Sequence, residues 1–246
     1  KIAFTNTDHI YAGFNNPATL TAPDPLAGLN DLARQVAASG IRRVDGDVLI
    51  DDRLFEPAQS TGSGPRQVSP IVVNDNLVDF IISPTAAGKP AEVDWRPRCE
   101  ALQVDARVET VEPGKPTSLR LTSPAPGRVV VRGTIAAGAK PAVTVREVDD
   151  PASWARSLFI EALHRAGVSV SASALAGNSR EGLPPAGETA SLPRVARHVS
   201  PPFSENARLI LKVSHNLHAS MLPLLLAVKH GKRTLAEGLR LEQAFL

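Results

Sequence analysis

From Pro25 to Gly40 the apolar positions Leu26, Leu29, Leu32, Ala33 and Val36 recur at helical spacing, and Gly40 supplies a stop, so this stretch predicts a helix. The period changes at once. Val44-Asp45-Gly46-Asp47-Val48-Leu49-Ile50 alternates, then runs apolar into Asp51-Asp52, which predicts a strand and a helix-to-strand unit of α/β type. Gln59 to Arg66, rich in Gly, Ser and Pro, predicts an exposed loop. Two apolar runs follow, Ile71-Val72-Val73 and Leu77-Val78-Asp79-Phe80-Ile81-Ile82, and the polar tip Asn74-Asp75-Asn76 between them predicts a hairpin.

Beyond Thr85 the texture shifts to short alternating runs cut by Pro and Gly. Ala101 to Val108, Thr117 to Thr122, Arg128 to Thr134 and Ala142 to Glu147 predict a small all-β module. Asp150-Pro151 opens a second helix, with Ala152, Trp154, Ala155, Leu158, Phe159, Ala162 and Leu163 on its apolar positions and Gly167 as its end. Both helices lead into Gly, an aliphatic residue and a short strand. The second unit therefore either completes the layer begun by the first, from across the β module, or stands apart from it. Gly177 to Arg197 is a Pro/Gly/Ser-rich linker. Ser200-Pro201-Pro202-Phe203-Ser204-Glu205 then supplies prolines and a Ser204 cap ahead of a short amphipathic helix over Ala207 to Val213. Leu217 to Val228, with Pro223 as a kink, and Thr234 to Leu246 predict two more helices.

Composition narrows the classes. With 246 residues and 43% hydrophobic content the chain can bury a sizeable core. A net charge of only +2 and 4% aromatic residues give neither the basic field nor the stacking platforms of a nucleic-acid binder. Cys99 is the sole cysteine, which excludes an internal disulfide. The longest greasy run, Leu222 to Val228, is far short of the about 18 apolar residues of a membrane span. The chain starts at Lys1 without Met or a signal-type segment, which predicts an internal or processed piece.

The candidate chemistry centres on Lys212-Val213-Ser214-His215-Asn216-Leu217-His218-Ala219, at the joint of two helical segments. A hydroxyl and a carboxamide two residues apart can face one ligand while packed helices fix them. Taken alone, Ser-x-Asn is also an ordinary turn or helix cap. His215 and His218, three apart, could ligate a metal, but no acidic or third histidine partner is close in sequence, so no metal site is expected. Asn74-Asp75-Asn76 lacks the following Gly and distal Glu of a calcium loop and predicts a turn. Asp51-Asp52, at a strand end, predicts turn capping rather than a catalytic pair. Cys99 follows Arg96-Pro97-Arg98, whose positive charge would lower its pKa, yet with no base nearby it reads as an incidental thiol.

The wider pattern carries more. Val44-Asp45-Gly46-Asp47-Val48 through Asp51-Asp52-Arg53-Leu54-Phe55, then Val68-Ser69-Pro70-Ile71-Val72-Val73-Asn74-Asp75-Asn76, then Ser200-Pro201-Pro202 and the Ser214-His215-Asn216 segment occur in order over nearly the whole chain. This pattern resembles the penicillin-binding D-alanyl-D-alanine carboxypeptidases/endopeptidases of the S13 peptidase family. The resemblance implies an α+β multidomain chain, part of a penicillin-recognising serine enzyme (β-lactamase/transpeptidase-like) domain with an inserted α/β domain that carries a small all-β domain. On that plan residues 1–84 and 149–197 are the two halves of the inserted α/β domain, the second with the linker. Residues 85–148 are the small all-β domain and 198–246 the helical part of the catalytic domain.

It also implies a serine-type carboxypeptidase/endopeptidase that cleaves peptidoglycan stem peptides ending in D-Ala-D-Ala and is acylated by β-lactams, in the periplasm or outside the cell. No cofactor is implied. Ser214 matches the proton-relay serine of the family's Ser-x-Asn motif, and Asn216 the residue that bonds the substrate's peptide group. The family's nucleophile motif, Ser-x-x-Lys, is expected upstream of the insertion and its Lys-Thr-Gly strand downstream of Ser-x-Asn; this sequence contains neither. Gly13-Phe14-Asn15-Asn16-Pro17-Ala18-Thr19-Leu20-Thr21 also stands where the family has Gly-Gly-Asp-Pro-Thr-Leu, without its Asp. Truncation accounts for two missing outer motifs around an intact middle one. The piece alone is therefore expected to be inert, its three terminal helices leaving apolar faces to a companion fragment of the same protein or to fraying, with self-association left open. The other reading is a catalytically inactive relative whose insertions bind or space components of the cell envelope.

Overall fold

The computed structural model describes residues 24–60 and 64–245. The Gly13 to Thr21 segment therefore lies outside the described residues. Helix α1 (Ala27–Ala38) realises the first apolar stripe and ends at Gly40, whose φ of +94° only glycine adopts cheaply. Strand β1 follows, but it spans only Arg43–Val44. The expected strand to Ile50 does not form, because from Gly46 onward the backbone is met by side chains instead. Ser171 Oγ accepts the Gly46 N–H, and Asn178 Oδ1 accepts that of Ile50.

Strands β2 (Ala58–Gln59) and β3 (Gln67–Val68) pair antiparallel at the foot of the predicted loop. The expected hairpin of residues 71–73 with 77–82 is not there. Strand β4 (Leu77–Ser83) has both edges occupied, by β5 (Glu92–Arg96) and β9 (Ala142–Glu147), in an antiparallel three-stranded sheet. The backbone of 71–73 is satisfied by a side chain instead: Asn76 Oδ1 accepts the Val73 N–H at 3.1 Å, and Asn76 Nδ2 donates to the Ile71 carbonyl at 2.9 Å. Strand β5, a five-residue alternation between Pro90 and Pro97, escapes the sequence reading.

A second three-stranded sheet holds β6 (Gln103–Val111), β7 (Ser118–Ala125) and β8 (Arg128–Ala136) in the order β6-β8-β7, with β6 parallel and β7 antiparallel to β8. Gly133 in β8 allows the close approach of β7, since a Cβ there would lie 1.9 Å from the Ser118 carbonyl oxygen.

Helix α2 (Pro151–Arg165) begins as predicted. Asp150 caps it by accepting the N–H groups of Ala152 and Ser153, and Pro151 fits the first turn. Its buried side chains join two cores. Trp154, Ala155 and Leu158 pack with Phe80 and Ile82 of β4 and Val129, Val131 and Ile135 of β8, while Ala162 and Leu163 pack with Ala33 and Val36 of α1. Strand β10 (Ser169–Val170) then pairs parallel with β1. The two helix-to-strand units thus form one α/β layer, of the two arrangements left open by the sequence. Arg156 is fully buried within α2. Its guanidinium donates to the Val48, Ser173 and Ala176 carbonyls at 2.9–3.0 Å and pairs with Asp47, tying both units together.

Three helices close the chain: α3 (Phe203–Val213), α4 (Asn216–Lys229) and α5 (Leu235–Phe245). Helix α3 starts at Phe203 behind Pro202, so Ser204 lies inside its first turn and does not cap it. The expectation of uncovered faces fails for α4. Its Leu217, Met221 and Leu224 are buried against Phe55, Val68 and Val72, in a third core. It holds for α3 and α5, where Phe203, Leu211, Leu239 and Phe245 stay exposed. Pro223 sits inside α4, and Gly238 of α5 packs against its carbonyl so closely that a Cβ would fall 2.0 Å from the oxygen. None of the described helices is long and apolar enough to cross a membrane.

Candidate functional site

Helix α3 ends in a left-handed residue, the usual way a helix stops, but the residue is Ser214 (φ +53°, ψ +49°) where glycine or asparagine is the easy choice. Its N–H bonds back to the Ile210 carbonyl. A side chain other than glycine costs about 1–2 kcal/mol in this conformation. That cost places an exposed hydroxyl at the corner between two helices. His215 then caps α4, its Nδ1 accepting the His218 N–H at 3.4 Å, and Asn216 is the first residue of the helix, half-buried. The structure therefore brings Ser214 and Asn216 onto one tight corner. Anchoring comes from the residue between them, since His215 and His218 are both buried with their rings 3.9 Å apart.

The group facing those rings comes from far upstream. Asn74, Asp75 and Asn76 have φ of +53°, +53° and +56°, three left-handed residues in succession, and all are buried. The polar tip is a turn, as expected, but an interior one. Asn and Asp tolerate this conformation better than other non-glycine residues. The two asparagines lock it. Asn74 Nδ2 donates to the Leu77 carbonyl at 2.8 Å and reaches Asp79 Oδ2 at 3.3 Å; Asn76 Nδ2 reaches Ser69 Oγ as well as the Ile71 carbonyl. Asp79 in turn pairs with Arg96 of β5 at 2.9 Å. Asp75 points the other way, with Oδ2 3.3 Å from His215 Nε2 and Oδ1 3.5 Å from His218 Nε2.

The acidic partner that the neighbouring sequence lacks is thus supplied by the fold. One carboxylate oxygen and two imidazole nitrogens lie within 4.8 Å of one another, a donor set that suits a divalent cation. The hydrogen bonding argues otherwise. A neutral imidazole that accepts an N–H at Nδ1 carries its proton on Nε2, and a protonated nitrogen is no ligand. The cluster is therefore a carboxylate set against two imidazole edges, with Asp75 3.3 Å from His215 Nε2 and 3.5 Å from His218 Nε2.

The remaining candidates take ordinary roles. Asp51 accepts the N–H of Arg53 and pairs with its guanidinium, whose hydrogen bond holds the carboxyl below the usual range. Asp52 pairs with Arg180 at 2.7 Å. For Cys99 the expected pKa lowering is reversed. Burial is the main cause and pushes the thiol up to about 12, with the Glu161 carboxylate adding to the rise. A cleft of about 330 Å³ between Val129 of β8 and Trp154 of α2 contains none of the Ser214–His218 residues.

Comparison with known proteins gives a consistent picture. The model of a family described as D-Ala-D-Ala carboxypeptidase 3 (S13) matches residues 5–243. A D-alanyl-D-alanine carboxypeptidase from Actinomadura sp. (strain R39) is 32% identical over 220 residues, 83% of this chain and 39% of that protein. Penicillin binding protein 4 from Haemophilus influenzae superposes with a TM-score of 0.61 at 16% identity, covering 92% of this chain and 53% of that one. A second crystal structure of that protein, complexed with a β-lactam, gives 0.57 at 18% identity over 92% of this chain and 51% of the other. These likenesses establish a mixed α+β fold of that kind. The chain spans about two fifths of the curated relative and about half of each solved structure.

Proposed function

We propose, because the chain belongs to the D-Ala-D-Ala carboxypeptidase 3 (S13) family, that Ser214 and Asn216 are the Ser-x-Asn pair of a serine-type peptidase that cleaves peptidoglycan stem peptides ending in D-Ala-D-Ala. The reaction is acyl transfer. A nucleophilic serine, activated by a lysine, attacks the carbonyl of the penultimate D-Ala; the C–N bond breaks, the terminal D-Ala leaves with a proton, and water releases the acyl group from the serine. Ser214 passes the proton to the leaving amine, and Asn216 bonds the peptide group of the substrate. Nucleophile and lysine come from a Ser-x-x-Lys element that this sequence does not contain. The same serine takes up β-lactams, and the work is done in the cell envelope, outside the cytoplasm.

One observation carries the reading. Ser214 occupies a left-handed position that glycine would fill at lower cost, and its hydroxyl is exposed at a corner fixed from beneath by buried His215. In this scheme residues 198–246 belong to the catalytic domain, 1–84 and 149–197 to an inserted α/β domain, and 85–148 to a small β domain carried by it.

The test is acylation by a labelled penicillin, read by intact mass. The longest product of the encoding reading frame should gain the drug's mass, the 246-residue chain alone should not, and Ser214→Ala in the longer protein should slow acylation by about 100-fold or more. A full-length product that never gains mass overturns the enzymatic reading and leaves an envelope-binding or spacing module.

A further inference from the structure

We infer that Asp75 is a positioning residue for the Ser214–Asn216 corner: through His215 it fixes, from the turn ahead of β4, the backbone that carries both side chains. The inference rests on the function proposed above and adds to it a residue that the Ser-x-Asn motif does not include.

The geometry of the turn comes first. Residues in sparsely populated backbone conformations cost about 1–3 kcal/mol each and persist only where the surroundings over-determine them. Here three stand in a row, all buried, and the flanking asparagines are each committed to local backbone. The arrangement turns the middle side chain away from both neighbours and toward α4. The turn also sits at the joint of two cores, since Val72 packs with Leu217 and Met221 of α4 while Val73 packs with Phe80 of β4 and Leu158 of α2. Apolar packing sets how far apart the two cores lie. It is non-directional, however, and sets rotation about the joint only weakly.

A directional link meets that need. With the His218 amide donating to Nδ1, the His215 ring is held in the Nε2–H tautomer, and its Nε2 lies 3.3 Å from Asp75 Oδ2. His218, stacked on His215, brings its own Nε2 to the other oxygen at 3.5 Å. A carboxylate between two imidazoles restrains the rings in plane and in distance, as outer-shell carboxylates do for histidines elsewhere. His215 is covalently next to Ser214 and Asn216, so holding its ring holds the corner. Burying a carboxylate is costly compared with an apolar contact of equal size, and orientation is what the charge adds over packing.

Two measurements test this. In the 246-residue chain, long-range 1H–15N imidazole spectra should show His215 as the Nε2–H tautomer, and Asp75→Ala should convert it to a mixture of tautomers. A His215 in the Nδ1–H form, or a zinc titration that saturates at one ion per chain with both histidines as ligands, overturns the inference. In the full-length product, Asp75→Ala should slow penicillin acylation by about 10-fold to 100-fold. Asp75→Asn, which keeps one acceptor oxygen, should lose less. Ser214→Ala separates the two levels. If it is slow while both Asp75 variants acylate at the wild-type rate, the positioning role fails and the function stands; if Ser214→Ala itself acylates at the wild-type rate, the function fails and takes this role with it.

Discussion

Helices α2 and α3 carry similar apolar stripes in sequence, yet α2 is buried along most of its length and α3 has no fully buried residue among those described. Leu158 of α2 is wholly enclosed, whereas Leu211 of α3 is 83% exposed. Amphipathic spacing reports only that a helix has a side to hide. It does not report whether the rest of this chain supplies the cover. For α2 the cover is complete, from β4, β8 and α1; for α3 it is partial, since the nearest helix, α4, spends its buried face on Phe55, Val68 and Val72.

Mutations should divide along the same line. The largest loss is expected at Arg156, because replacement by Ala empties a fully buried site and breaks the guanidinium's bonds to Asp47 and to three carbonyls; about 3–5 kcal/mol should disappear from the urea unfolding free energy. Next, Leu158→Ala should cost about 2–5 kcal/mol while Leu211→Ala stays within about 0.5 kcal/mol. A loss above about 1 kcal/mol at Leu211 would break the comparison by revealing cover over α3. Gly238→Ala sharpens it for α5. Helix propensity alone would favour alanine, but the Cβ would strike the Pro223 carbonyl, so a net loss of about 1–3 kcal/mol is expected in thermal unfolding. A last effect has the opposite sign. Ser214→Gly relieves a left-handed serine and should stabilise the chain by about 0.5–1 kcal/mol while abolishing rapid acylation of the full-length product.

How much of this was legible depended on the range of the interaction. Helices α1, α2 and α4 follow from apolar spacing, and the Asp150-Pro151 start and the Gly40 and Gly167 ends from local backbone chemistry, all within a few residues. The hairpin at Asn74–Asn76 failed because the competing partners of β4 lie beyond the tip, at β5 and β9, and because Asn76 could satisfy the 71–73 backbone by itself. The pKa of Cys99 departs from the local expectation for the same reason, although the reading of an incidental thiol stands: adjacent arginines are visible in sequence, whereas burial is a property of the packed core. At the candidate site, Ser214 and Asn216 were readable as a motif. Asp75 was not, since nothing local joins it to His215. A run of three residues that tolerate left-handed backbone was the available signal, and it read as a turn and nothing more.

The pairing of β1 with β10 bears on the order in which the molecule can be made. Gly46 and Ser171, which bond beside that pair, are 125 residues apart, and the entropy of closing so long a loop is not repaid by two residues of ladder. The segment between them must first shorten the gap by folding on itself, β4 with β5 and β9, β8 with its neighbours. On the ribosome, α1 and β1 therefore emerge early and wait, unpartnered, until α2 and β10 have left the tunnel. Chain growth is slow compared with the closure of local sheets, so the β strands between them can pair during synthesis before α1 and β1 meet α2 and β10.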